Sequence, residues 1–147
     1  MIKANGKIFL SWDDINTTID KIVEQINNLD KKPWSLYGVP RGGLIPATII
    51  SHKTGIDYRQ INAAQISKFA DLSHILIIDD ICDSGKTVKQ LRESYPKVKV
   101  ACLYYKENEI ATPDIYGEIV GDEWISFPWE NQKEEIGKRD ETWRKKV

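Results

Sequence analysis

The chain has 147 residues, 41% of them hydrophobic and 29% charged, which is enough for one sizeable core and too short for two ordinary domains. With 21 basic and 22 acidic residues, the formal net charge of -1 gives no long-range attraction for nucleic acid or anionic lipid. No apolar run reaches the ~18 residues of a membrane span, and no signal-peptide core follows the first residues. We expect a single domain over residues 1–147, in the cytoplasm, with neither a nucleic-acid nor a membrane partner.

The first half of the chain predicts a helix, a strand and a second helix. Ser11 resembles a helix cap followed by first-turn acids, and apolar residues then recur on one helical face as far as Asn28. Residues 34–39 predict a short buried strand that ends at Pro40. An apolar segment over residues 44–52, closed by Gly55, predicts the second helix.

The second half alternates strands with a helix. The continuous apolar run of residues 75–78 is typical of a strand that is buried on both faces. Further strands are predicted at residues 56–62, 98–105 and 115–120, a helix at 87–95, and a loop at 63–73. Because strands alternate with helices, we expect an α/β fold with a parallel sheet flanked by helices.

The two cysteines, Cys82 and Cys102, lie inside apolar runs and lack the spacing of a zinc site. We therefore expect buried, reduced thiols in a reducing compartment. A buried thiol of this kind is not expected to act as a covalent nucleophile, so we assign Cys82 no catalytic role.

Residues 79–87, DDICDSGKT, suggest a phosphate site at the end of a strand. The stretch from Asp83 to Thr87 offers consecutive backbone N–H groups, a glycine and two hydroxyls, which together suit a phosphate. Its final Gly-Lys-Thr also resembles a Walker A loop, but that motif requires a glycine where this chain has Asp80, so we reject it.

The adjacent acids Asp79 and Asp80 suit a diol or a hydrated magnesium ion, both of which prefer hard oxygen partners. An isolated Asp-Asp pair more often caps a helix or faces water. A second turn over residues 39–43 combines backbone N–H groups with the guanidinium of Arg41 and suits another anionic group, although alone it is a common surface turn. Together, the two turns favour a sugar phosphate as ligand.

The stretch ILIIDDICDSGKT resembles the ribose-5-phosphate signature of the type I phosphoribosyltransferases, and YGVPRGG resembles their pyrophosphate loop. The similarity is closest to the small bacterial xanthine-guanine enzymes and covers roughly residues 8–130 in order. It implies a type I phosphoribosyltransferase-like sheet with a shortened hood loop. It also implies a purine salvage enzyme that transfers ribose 5-phosphate from phosphoribosyl pyrophosphate (PRPP) to guanine, xanthine or hypoxanthine and releases pyrophosphate.

The resemblance assigns PRPP to residues of both turns. Asp79 and Asp80 would hold the ribose hydroxyls and the magnesium ion (Mg2+), and Asp83 would be the catalytic acid near purine N7. Arg41 and Gly42 would contact pyrophosphate, with Arg41 also catalytic. The 5-phosphate would be held by Ser84, Gly85, Lys86 and Thr87.

For the base, the resemblance implies that Lys106 reads the purine 6-oxo group, Trp124 stacks on the ring and the carbonyl of Ile125 accepts from the 2-substituent. Without the signature, a solvated lysine and a core tryptophan would be the default interpretations.

The chain departs from the family in two places. The segment between Gly55 and Asp79 is short, so the hood is at most residues 63–73, and a charged tail over residues 131–147 replaces the family's apolar ending. A short hood favours the alternative of a non-catalytic PRPP- or nucleotide-binding regulator, whereas Lys106 and Trp124 favour the enzyme. We also expect a homo-oligomer, either a dimer or a tetramer.

Overall fold

A computed structural model describes residues 1–60 and 72–132. These residues form two compact units, one from Met1–Asn16 with the chain from Asp122 onward, the other from Thr17–Gly121. That the whole chain is one domain stays a prediction. The elements are β1 (Ile2–Ala4), β2 (Lys7–Phe9), α1 (Trp12–Asn27), β3 (Ser35–Gly38), α2 (Leu44–Thr54), β4 (Asp57–Gln60), β5 (Ile75–Cys82), α3 (Lys86–Ser94), β6 (Lys99–Lys106), β7 (Ile115–Val120) and β8 (Trp124–Ser126).

The unit Thr17–Gly121 contains a five-stranded sheet in the order β4-β3-β5-β6-β7. Every neighbouring pair in it is parallel, so the predicted parallel sheet with flanking helices is confirmed. Parallel strands place all their carboxyl ends at one edge, where backbone groups beyond the ladder are free for a ligand. The turns after β3 and β5 therefore leave neighbouring strands at the same edge.

The core of this unit is built around β5 and β6. The apolar run of β5 is buried from Ile75 to Ile78, as expected for a central strand. Val88 of α3 belongs to the same buried cluster as Val100 and Cys102 of β6. Both cysteines are buried and free, as predicted.

Strand β5 is longer than its apolar run predicted. It continues to Cys82, so Asp79 and Asp80 lie within the strand instead of following it. The ladder to β6 continues beside them, with Asp79 opposite Cys102 and Ile81 opposite Tyr104. The prediction stopped at the last apolar residue because hydrophobic patterning cannot detect backbone pairing that continues through charged residues.

The other unit has a small sheet in the order β1-β2-β8. Strands β1 and β2 form a hairpin through Asn5 and Gly6, which both have positive φ angles, as Asn-Gly hairpin turns require. The predicted start of α1 is confirmed, because Ser11 Oγ accepts from Asp14 N–H at 3.0 Å and the Asp14 carboxylate accepts from Ser11 N–H at 2.9 Å. Strands β1, β2 and β8, each three residues long, were not predicted from the sequence.

Across residues 1–60 and 72–132, none of the helices combines the length and apolar character needed to cross a membrane. The expected hood lies mainly in residues 61–71, and the tail almost entirely in residues 133–147, so both predictions fall outside the described residues.

Candidate functional site

Two turns meet at the carboxyl edge of the large sheet. The Arg41 turn (residues 39–43) follows β3, and the Gly85 turn (residues 83–87) follows β5 and leads into α3. The first turn is joined to β5 by Val39 N–H, which donates to the Ile78 carbonyl at 2.9 Å. Because β3 and β5 are adjacent, a ligand at this edge can contact both turns.

The Arg41 turn approaches β5 closely because two of its residues lack side chains. A Cβ at Gly42 would overlap the carboxylate of Asp80, and a Cβ at Gly43 would overlap the Ile78 carbonyl. The peptide between Pro40 and Arg41 is cis, and the Arg41 side chain is exposed. The backbone of the Arg41 turn, which was predicted to bind an anion, thus lies against the carboxylate of Asp80, close to the start of the Gly85 turn.

Asp79 and Asp80 form a half-buried acidic pair. Burial, followed by the neighbouring charge of Asp80, raises the pKa of Asp79 to about 8, and burial also raises the pKa of Asp80. Each carboxylate accepts from the next backbone N–H, Asp79 from Asp80 and Asp80 from Ile81, both at 2.8 Å. The raised pKa values favour the protonated form of the pair in the ligand-free protein, and a nearby cation would favour the ionised form.

The Gly85 turn has the geometry of a helix N-terminus that is open to an anion. Gly85 is the N-cap of α3 with φ of 84°, and it carries no side chain that could cap the helix itself. Ser84 Oγ accepts from Lys86 N–H at 3.3 Å. Residues of this turn and of β5 line a cavity of about 100 Å³, among them Asp79, Asp83, Ser84, Gly85 and Thr87.

Lys106 is the last residue of β6 and lies beside the Gly85 turn. Its Nζ is 3.9 Å from Asp83 Oδ1; the lysine side chain is 13% exposed and the aspartate side chain 64% exposed. The residues expected to contact the adjacent N7 and 6-oxo positions of a purine are therefore neighbours in the fold.

Trp124 and Ile125 belong to β8 in the other unit. Trp124 is 46% exposed, whereas Ile125 is buried and lies opposite Ile8 of β2. The exposed ring is suited to stacking, and the roles implied for these two residues stay predictions.

Cys82 and Cys102 both line the cavity. The hydrogen bond between the two thiols lowers the pKa of Cys82 to about 7 and raises that of Cys102. Because Cys82 is almost fully buried, its sulfur is part of the wall beneath the turn.

Asn108 is a site residue that the sequence did not reveal. Its amide lies between β6 and the Gly85 turn, and its Nδ2 donates to the carbonyls of Lys106 and Asp83. An asparagine two residues after a strand is common in loops, so no sequence pattern distinguished it.

The acidic pair fits magnesium when the substrate supplies further ligands. Within the described ranges, no group of three or more His, Cys, Asp or Glu residues forms a metal site. Magnesium, however, commonly uses one or two carboxylates together with substrate phosphates and water. Asp79 and Asp80 provide that type of donor.

Comparisons with known proteins define the class. Residues 59–135 match the phosphoribosyl transferase domain family. The chain belongs to the phosphoribosyltransferase family. It is therefore a pentosyltransferase, which agrees with the positions of the two turns.

The relatives carry more specific names. A xanthine-guanine phosphoribosyltransferase from Cereibacter sphaeroides is 32% identical over 142 residues, covering 82% of this chain and 85% of the relative. Another from Vibrio atlanticus is 29% identical over 143 residues, covering 86% and 90%. The purine phosphoribosyltransferase structure from Pyrococcus horikoshii superposes with a TM-score of 0.70 at 32% identity, covering 86% of this chain and 95% of that one.

The contact between Gly42 and Asp80 predicts that Gly42→Ala lowers transferase activity about 10- to 100-fold, because the added methyl displaces the carboxylate. Steady-state kinetics and thermal unfolding provide the measurement. Gly55→Asn is the matched control, since Gly55 has positive φ and open space around it. Activity equal to wild type in Gly42→Ala would contradict the assignment.

The raised pKa of Asp79 predicts that Asp79→Asn stabilises the ligand-free protein increasingly as pH rises. The folded state holds a proton that the unfolded state loses near pH 4, so wild-type stability falls as pH rises towards about 8. Asparagine removes this loss. In EDTA, we expect the variant to melt about 5 °C above wild type at pH 8, with a smaller difference at pH 5.

The exposed Asp30→Asn serves as the control and should show no such dependence on pH. A difference between Asp79→Asn and wild type that stayed constant between pH 5 and pH 8 would contradict a raised pKa for Asp79.

Proposed function

We propose that the protein is a purine salvage phosphoribosyltransferase that transfers ribose 5-phosphate from PRPP to guanine, xanthine or hypoxanthine. The observation that carries this proposal is the approach of Gly42 to the Asp80 carboxylate, which joins an arginine-bearing turn to an acidic pair and an open helix N-terminus. The names of the relatives support a purine as the acceptor.

PRPP has three polar parts, and the site offers a matching group for each. Residues 84–87 would hold the 5-phosphate through backbone N–H groups and hydroxyls. Asp79 and Asp80 would accept from the ribose hydroxyls, and Arg41 with the Gly42 N–H would bind pyrophosphate. The turn that binds pyrophosphate would thus lie directly against the acids that bind the ribose.

Asp79 and Asp80 would also hold Mg2+ together with oxygens of the substrate. When bound, the ion neutralises charge on pyrophosphate and makes it a better leaving group. The cation would favour the ionised form of the acidic pair, whose pKa values are raised in the ligand-free protein.

In the proposed reaction, the bond between ribose C1 and the pyrophosphate oxygen breaks, and its electron pair leaves with the oxygen. A purine ring nitrogen forms the new bond to C1 with its lone pair, and the proton lost from the imidazole ring passes to Asp83. Arg41 stabilises the departing charge, so the protein contributes chiefly positioning and electrostatics. The exposure of Asp83 suits exchange of that proton with solvent.

Selection of the base would rest on Lys106. Its ammonium has only donors, so it pairs with a 6-oxo acceptor and not with the amino group of adenine. The side chain is largely buried, which makes an unpaired lysine costly. Trp124 would stack on the ring and the Ile125 carbonyl would accept from the 2-substituent.

A non-catalytic PRPP- or nucleotide-binding regulator is the alternative function. The enzyme names of the relatives do not favour it. Incubation with PRPP, Mg2+ and a panel of bases separates the two, because tight PRPP binding without nucleotide formation would support the regulator. Homo-oligomerisation as a dimer or tetramer and a location in the cytoplasm remain part of our proposal.

If Lys106 reads the 6-oxo group, guanine, xanthine or hypoxanthine should be used at least about 100-fold more efficiently than adenine. Lys106→Met, which keeps the side-chain length and removes the charge, should reduce this preference mainly by lowering kcat/KM for the 6-oxopurine. Equal rates with adenine and guanine in wild type would remove the assignment.

Substitutions of Asp83 and Asp80 should affect different kinetic parameters. Asp83→Asn should lower kcat about 100-fold with little change in the KM for PRPP, because it removes the proton acceptor. Asp80→Asn should chiefly raise the KM for PRPP and the Mg2+ concentration required. Full activity in Asp83→Asn would show that another group accepts the proton.

A further inference from the structure

Asn108 uses both ends of its amide to join two chain segments at the site. Its Nδ2 donates to the Lys106 carbonyl at 3.1 Å and to the Asp83 carbonyl at 3.4 Å. Its Oδ1 accepts from the N–H groups of Ile110 and Ala111, both at 2.9 Å. The donors face carbonyls and the acceptor faces N–H groups, so the orientation of the amide is well defined.

Asn108 also packs against the residue that gives the Gly85 turn its shape. A Cβ at Gly85 would overlap Asn108 Oδ1 and lie 2.9 Å from Ala111 N. Gly85 has φ of 84°, a conformation that glycine adopts readily and that a residue with a Cβ adopts only at a cost. The turn is thus bounded on one side by Asn108 and the segment that Asn108 organises.

We propose that Asn108 is a positioning residue that holds the Gly85 turn against the end of β6, keeping the phosphate-binding amides and Lys106 in fixed relation. This inference rests on the proposed function. Asn108 would act through the turn and contact neither PRPP nor the base. Its Nδ2 is suited to this role because it donates to the backbone carbonyls of the base-reading lysine and of the proton-accepting aspartate.

The most specific variant is Asn108→Asp. A carboxylate retains an oxygen that accepts from Ile110 and Ala111, but it presents another oxygen to the carbonyls of Asp83 and Lys106. The two hydrogen bonds to the carbonyls of Asp83 and Lys106 are replaced by repulsion between oxygens, while the hydrogen bonds from the Ile110 and Ala111 N–H groups are kept. The Gly85 turn should therefore loosen without general unfolding.

Asp114→Asn is the matched control. Asp114 lies at the other end of the same connection between β6 and β7, where it accepts from Val100 N–H at 2.8 Å and from Arg92 at 3.0 Å. Its loss should lower stability and leave the Gly85 turn unchanged. Asn108→Ser, which can still accept from the Ile110 N–H but has too short a side chain to reach Asp83, replaces Asn108→Asp if that variant fails to fold.

The experiment combines amide hydrogen exchange over residues 83–88 with steady-state kinetics. In Asn108→Asp we expect exchange about tenfold faster there and a KM for PRPP about tenfold higher, with a smaller change in kcat. In Asp114→Asn we expect both quantities to match wild type. Wild-type exchange in Asn108→Asp, or an equal rise in the PRPP KM in both variants, would overturn the proposal.

The experiment distinguishes failure of the proposed enzyme function from failure of the positioning role of Asn108. If wild type formed no nucleotide from any base, that function would fall, and exchange alone would decide the role of Asn108. Faster exchange over residues 83–88 in Asn108→Asp, but not in Asp114→Asn, would still support positioning, and unchanged exchange would exclude it.

Discussion

The close approach of Gly42 to the carboxylate of Asp80 is the constraint on which the site depends. It requires adjacent parallel strands, because only then do the turns after β3 and β5 leave the sheet at the same edge. It also requires a residue without a side chain, since any Cβ would occupy the space of the carboxylate. The strand order and the glycine at position 42 are therefore both required to place the Arg41 turn against the acidic pair.

That arrangement costs stability in the ligand-free protein. Two adjacent carboxylates are placed where burial raises the pKa of both, and the strand continues through them. Such a pair lowers the stability of the ligand-free fold. It is suited to binding a cation together with the hydroxyl groups of a sugar phosphate. A site that is destabilised without its ligand gains stability when the ligand arrives, which links folding to binding.

The proposed base-binding side of the site is also held by contacts between neighbouring strand ends. Lys106 and Asp83 come from different strand ends and lie 3.9 Å apart, so each limits the freedom of the other before any ligand is present. Asn108 bonds the backbone at both positions, so the relation between these groups is set by backbone as well as by charge. The Lys106–Asp83 ion pair and the neutral hydrogen bonds of Asn108 thus both contribute to preorganisation of this edge.

Much of this protein was determined by its sequence alone. Periodicity and turn residues predicted α1, α2, α3 and the parallel sheet, since local patterning reflects which faces are buried, and the 75–87 signature indicated the phosphate-binding class. Only the tertiary structure decided that β5 runs through its two acids, that Gly42 faces Asp80 and that Asn108 joins the Gly85 turn to the end of β6. These features depend on backbone pairing and on contacts between residues distant in sequence, which a linear pattern does not contain.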